Sequence, residues 1–210
     1  MSSISIIGAG TMARTLAARA LAGGNTVEVI SRDAAKAAAL AGELGHGATA
    51  GTIRSAPAGD IVILAVPYAS AAPVVSQYGD ALAGKVIIDI TNAFDSAMTG
   101  LVTADGTSGA QEIAKAAPAG AHVVKAFNTL FASVLAAAPN GGRTLDVFIA
   151  GDDADAKASV SAFIQSLGLR PLDAGDLAAA HWLEAAGPLL MGLANNGAGF
   201  NISIGVNVPD

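Results

Sequence analysis

Hydrophobic positions in this chain fall into short unbroken runs of Ile, Val and Leu, separated by alanine-rich stretches in which the apolar residues recur with helical spacing. Runs without polar alternation predict strands buried on both faces of a sheet. On this pattern strands are predicted at Ser5–Gly8, Thr26–Ile30, Ile61–Val66, Val86–Ile90, His122–Ala126, Asp146–Ala150 and Leu169–Leu172. Helices are predicted at Thr11–Leu21, Ala34–Leu44, Ser70–Leu82, Ser108–Ala117, Ala132–Ala137, Ala154–Leu167 and Leu177–Leu193. In the first helix Met12, Leu16 and Ala20 share one face, Arg14 and Arg19 lie off it, and Gly23-Gly24-Asn25 ends it. Strand and helix alternation of this kind implies right-handed βαβ crossovers, hence an α/β fold with a doubly wound, mostly parallel sheet. The uncharged run Ile61–Gly79 has about the length of a membrane span, but Pro67, Pro73, Ser76 and Gln77 interrupt it, so it reads as strand, loop and helix start. The loop Thr103–Gly109 is the one compositional break, and no internal repeat is visible.

The stretch "IIGAGTMA", Ile6 to Ala13, fits G-x-G-x-x-A with Gly8, Gly10 and Ala13. Gly8 permits the tight turn, Gly10 allows the backbone to approach a pyrophosphate, and Ala13 allows the helix to pack closely on the strand. It follows an apolar strand, opens an amphipathic helix and precedes a second strand, which is the setting of a Rossmann-type dinucleotide site with phosphates on the helix N-terminus.

Such a site normally places an acid on the ribose after the second strand; here the chain reads "VEVISRDAAKAA", with Ser31 and Arg32 at that place. A carboxylate would repel a 2′-phosphate, whereas a hydroxyl and a guanidinium would hold it, with Lys36 one turn on as a second cation. A charge-assisted bond of this kind is worth roughly 10- to 150-fold in affinity. NADP(H) is therefore the expected cofactor. Asp33 reads as the N-cap of the helix from Ala34, or as an acid that still reaches a ribose. Three further strand ends point to the same crevice: "AVPY", "DITNAF" and "KAFNTLF". In them Val66 and Pro67 would shape the loop beside the nicotinamide ribose, and Asn92, Asn128 and Thr129 offer hydrogen bonds to ribose or carboxamide.

Composition narrows the function. Hydrophobic residues make up 52% and charged residues 13% of the 210, with a net charge of −6, which argues against a nucleic-acid partner. The chain has no cysteine, so no disulfide framework, thiolate nucleophile or sulfur-ligated metal is expected. The N-terminus runs straight into an apolar strand without a basic leader, so no signal peptide or membrane partner is expected and the cytoplasm is the default. His46, His122 and His181 show no metal-ligand spacing, and no G-x-S-x-G occurs. Glu184 and Asp173 read as isolated carboxylates, a surface or helix-positioning residue and a turn residue. No catalytic acid, base or metal is assigned; hydride transfer between two bound rings needs proximity and orientation more than it needs either.

The segments "SIIGAGTMA", "SRDAAKA", "VVKAFNT" and "GDDADAKASVSAFIQSLGLRPLDAGDLAAAHWLEAAGPLL" resemble the family of NADP oxidoreductases that depend on the deazaflavin coenzyme F420. The resemblance implies hydride transfer between NADP(H) and the deazaflavin, with Thr11, Ser31, Arg32 and Lys36 matching NADP-binding positions and Met12 beside them. It implies that the strands at Asp146–Ala150 and Leu169–Leu172 extend the sheet. Residues 1–175 would form the dinucleotide-binding domain, and 176–210 a short helical extension giving the second cofactor's side and a homodimer contact. "KAFNT" is also expected in relatives that reduce other acceptors, among them NADPH- and flavin-binding domains of membrane metalloreductases, so F420 and a flavin both stand as acceptor. A small hydroxy-acid or imine dehydrogenase and a non-catalytic NADPH sensor are the alternatives; the dehydrogenase is disfavoured because the chain ends at Asp210, without a long helical substrate domain.

Overall fold

The computed structural model describes residues 1–45, 47–137 and 144–207. Eight strands form one sheet: β1 (Ser3–Ile7), β2 (Thr26–Ser31), β3 (Ala48–Thr52), β4 (Ile61–Leu64), β5 (Val86–Asp89), β6 (His122–Lys125), β7 (Asp146–Gly151) and β8 (Arg170–Asp173). Among the described residues seven α-helices accompany them: α1 (Thr11–Ala22), α2 (Ala34–Leu44), α3 (Tyr68–Tyr78), α4 (Gly109–Ala116), α5 (Ala132–Ala136), α6 (Ala154–Ser166) and α7 (Ala180–Leu193). The sheet order is β3-β2-β1-β4-β5-β6-β7-β8. The first six strands are parallel, β7 runs antiparallel to β6, and β8 is parallel to β7. This is the doubly wound dinucleotide order with two strands added at one edge.

All the predicted helices and seven of the strands are present; the eighth, β3, was missed. Its sequence Ala-Thr-Ala-Gly-Thr has no apolar run, and as an edge strand only partly covered it needs none. Side chains alternate across the sheet, as along β4: Ile61 and Ile63 pack with Leu16, Ala20 and Phe163, while Val62 and Leu64 pack with Val75, Ile87 and Ile113. The run Ile61–Gly79 divides as expected, into β4 and α3 with Pro67 between them. Pro171 is tolerated because β8 pairs on one side only.

Polar ties complete the frame. Arg19, on the outer side of α1, reaches the carbonyls of Leu135, Ala137 and Leu167, joining α1 to the ends of α5 and α6. The segment after α7 folds back over the β6 to β8 edge. Phe200 meets Phe131 edge-on at 5.4 Å, Ser203 bridges Leu130, and Val206 is held by Asp146 and Arg170.

Candidate functional site

The parallel order sets a row of carboxyl-terminal strand ends: Ser31 on β2, Gly8 after β1, Ala65 to Pro67 after β4, Asn92 after β5 and Asn128 after β6. Beside the first three lies a cleft of about 550 Å³, lined among others by Gly8, Gly10, Ser31, Arg32, Lys36, Ile53, Val66, Pro67 and Gln77. Seven of the twelve residues predicted to bind cofactor thus share one concavity. Thr11 is exposed at the start of α1 next to Gly10, and Met12 is half-buried against the core.

The two glycines of the turn have different reasons. Gly8 has φ +133°, and a Cβ on it would stand 2.1 Å from the Ala65 carbonyl oxygen, so the fold itself requires glycine there. A Cβ on Gly10 would meet nothing within 4 Å, and its φ of −85° suits any residue. What Gly10 leaves open is space in front of α1. That helix has no side-chain cap and no acid in its first turn, so its free N–H groups and positive dipole end face that space. An anionic pyrophosphate fits a cradle of this make.

At the β2 end Asp33 is the N-cap of α2: its carboxylate accepts from the N–H groups of Ala35 at 3.0 Å and Lys36 at 3.3 Å. The Asp33 N–H in turn donates to Ser31 Oγ at 3.2 Å. Arg32 and Lys36 line the cleft, and among the described residues neither takes part in an ion pair. The geometry leaves two cations and a hydroxyl at the β2 edge of the cleft and turns the neighbouring acid to backbone work.

Further along the row the amides have partners within the protein. Asn92 donates to the Asn128 carbonyl at 3.0 Å, and Asn128 donates to Asn92 Oδ1 at 2.9 Å and to the Leu183 carbonyl of α7 at 2.8 Å. Asn128 Oδ1 is a buried acceptor without a partner among the described residues. Thr129 is buried and does not line the cleft. Phe127, just before the pair, has φ +62° although it is not glycine, a backbone state held only by tight surroundings.

Two features escaped sequence reasoning. Ile53 enters the cleft from the end of β3, and no periodicity announced that strand. Glu184, read as an isolated carboxylate, is fully buried and pairs with Lys125 Nζ at 2.7 Å. The signal was a charged residue amid the apolar residues of a helix, facing a lysine that closes an apolar strand. Asp173, expected in a turn, is instead the last residue of β8, and its carboxylate pairs with Lys157 and accepts from the Gly175 N–H of the turn that follows. His122 pairs with Asp153 at 3.5 Å and His181 meets its own helix start, while His46 lies outside the described residues. Among the described residues no cluster of acids and histidines is arranged to hold a metal. Tyr68 donates to Glu112, and burial followed by that bond pushes its phenol up to about 12, so it stays protonated at neutral pH.

The profile of the family described as NADP oxidoreductase, coenzyme F420-dependent, matches residues 3–93. The F420-dependent NADP reductase of Methanothermobacter marburgensis is 30% identical over 202 residues, covering 89% of each chain. This chain belongs to that family. It is a family of NADP-dependent oxidoreductases, which agrees with the basic edge of the cleft. The rat metalloreductase STEAP3 is 34% identical over 87% of this chain, but the match spans only 36% of the rat protein's length. A crystal structure from Arthrobacter sp. FB24, of a protein proposed to be an F420-dependent NADP reductase, superposes with a TM-score of 0.84 at 26% identity. It covers 98% of this chain and 100% of its own.

Proposed function

We propose that this protein transfers hydride between NADP(H), held in the cleft at the N-terminus of α1, and a deazaflavin or flavin acceptor held between the loops after β4, β5 and β6 and helix α7. The observation that carries the reading is the pairing of a basic, acid-free β2 edge with an uncapped α1, in a family whose Methanothermobacter relative is an F420-dependent NADP reductase. The rat relative's name, a metalloreductase, keeps other electron acceptors in view.

When bound, NADPH would supply a hydride, that is two electrons and a proton, and a deazaflavin or flavin acceptor would take one further proton to complete its reduction. The chain's own part is binding and orientation. Arg32, Lys36 and Ser31 would fix the 2′-phosphate, the α1 N-terminus the pyrophosphate, and Val66 and Pro67 the ribose. We further propose that the enzyme works as a homodimer through the outer face of α7, where Trp182, Leu189 and Leu193 are 70%, 56% and 48% exposed along one stripe.

NADPH absorbance followed with coenzyme F420, FMN, FAD, a quinone and a 2-keto acid in turn tests the reaction. Oxidation with the deazaflavin or a flavin is the expected result. Oxidation with the keto acid alone would favour a dehydrogenase, and tight NADPH binding without turnover a sensor.

A further inference from the structure

Lys125 ends β6 and has no exposed surface at all. Its three Nζ protons go to three oxygens: Asp89 Oδ2 on β5 at 2.8 Å, Glu184 Oε1 on α7 at 2.7 Å, and the Thr91 carbonyl. Asp89 Oδ1 also accepts from the Thr91 N–H at 2.9 Å. The Glu184 carboxylate accepts from the first N–H groups of α4, Gly109 at 3.0 Å and Ala110 at 3.2 Å. One ammonium and two carboxylates leave a net charge of −1, which rests against the positive end of that helix.

The elements tied together are those on the acceptor side of the row of strand ends. Residues 183, 184 and 187 of α7 are its contact points there. Leu183 takes the Asn128 amide, Glu184 takes Lys125, and Gly187 faces the loop after β5, where a Cβ would be 2.9 Å from the Phe94 ring and 3.2 Å from Asn92. None of the residues lining the dinucleotide cleft belongs to this set. Apolar packing would hold a helix here but would let it slide; a buried ionic contact with every donor matched fixes one register.

We propose that Lys125, with Asp89 and Glu184, is a positioning device for the acceptor half of the site. It sets the height of α7 and of the Asn92–Asn128 pair, and hence the distance at which a planar acceptor ring meets the nicotinamide. The proposal rests on the hydride-transfer reading above.

The test uses the full chain with Glu184→Gln and Gly187→Ala. The first weakens the ionic contact; the second leaves its groups in place and displaces the seat, so it is informative whether or not the first variant folds. Both variants should keep the wild-type NADPH Kd, while kcat/KM for coenzyme F420 or FMN falls on the order of 10- to 100-fold, as an ångström-scale misplacement of reacting groups does. Amide exchange should accelerate in 180–193 and 109–113 and stay unchanged in β1 and α1. Unchanged kcat/KM in the folded variants, or NADPH affinity lost in parallel with it, would overturn the proposal. If wild-type protein reduces no acceptor, the hydride-transfer reading fails by itself; the exchange pattern then decides this one, and uniform exchange sinks it.

Discussion

At the end of β2 two neighbours, Arg32 and Asp33, carry opposite charges and do different work, because only the acid has helix N–H groups to accept from. Arg32→Ala should weaken NADPH binding roughly 10-fold or more and leave NADH nearly unchanged; titration of both nucleotides checks it. Asp33→Ala should lower stability by about 1 kcal/mol through the lost cap, seen as a reduced Tm, with NADPH binding retained; weaker binding would instead place this acid on the ribose. The motif glycines separate in the same manner. Gly8→Ala should destabilise by about 1–3 kcal/mol because a methyl meets the Ala65 carbonyl. Gly10→Ala should keep Tm and lose NADPH affinity, since the added methyl enters only the cofactor's space. The sequence named both glycines, but only the spatial neighbour of each shows which one the fold requires.

Elements were legible where burial is two-sided. The strands β4 and β5 are near-continuous Ile, Val and Leu, and α1 and α6 bury one apolar stripe each, so their patterns speak plainly. β3 was silent because an edge strand made of Ala, Thr and Gly buries little. The helix α7 was found, yet its carboxylate stood open between a surface and a helix-positioning role, because such a residue in an apolar helix has no settled place until its partner is known. That partner, Lys125, lies 59 positions away and reaches it only through the sheet. Lys125→Met strands two buried carboxylates and should cost about 3–5 kcal/mol, measurable as a lower urea midpoint with an unchanged slope.

At the scale of the whole molecule, β7 and β8 widen the sheet in the opposite sense, and the segment after α7 returns to clasp them through Asp146 and Arg170. Among the described residues one helical stretch, Leu177–Ala198, is long and apolar enough to cross a membrane. It carries Glu184 on its buried side and departs from helical geometry at Asn196 and Gly197. Its outer stripe is the surface proposed to pair with a second copy. Trp182→Glu should shift the protein from dimer to monomer in sedimentation or light scattering; a monomeric wild type would remove the proposal.

The chain's own order of residues determined the sheet, the dinucleotide turn and the basic end of β2, since each depends on neighbours within a few positions: periodicity, a glycine pair, a charge after a strand. Only the tertiary structure decided that Asp33 caps a helix while Arg32 has no ion pair among the described residues, that Asn128 spends its donors on Asn92 and Leu183, and that Lys125 and Glu184 meet. Those outcomes depend on which strand ends lie side by side, and a buried polar group takes its meaning from the partner that the fold brings to it.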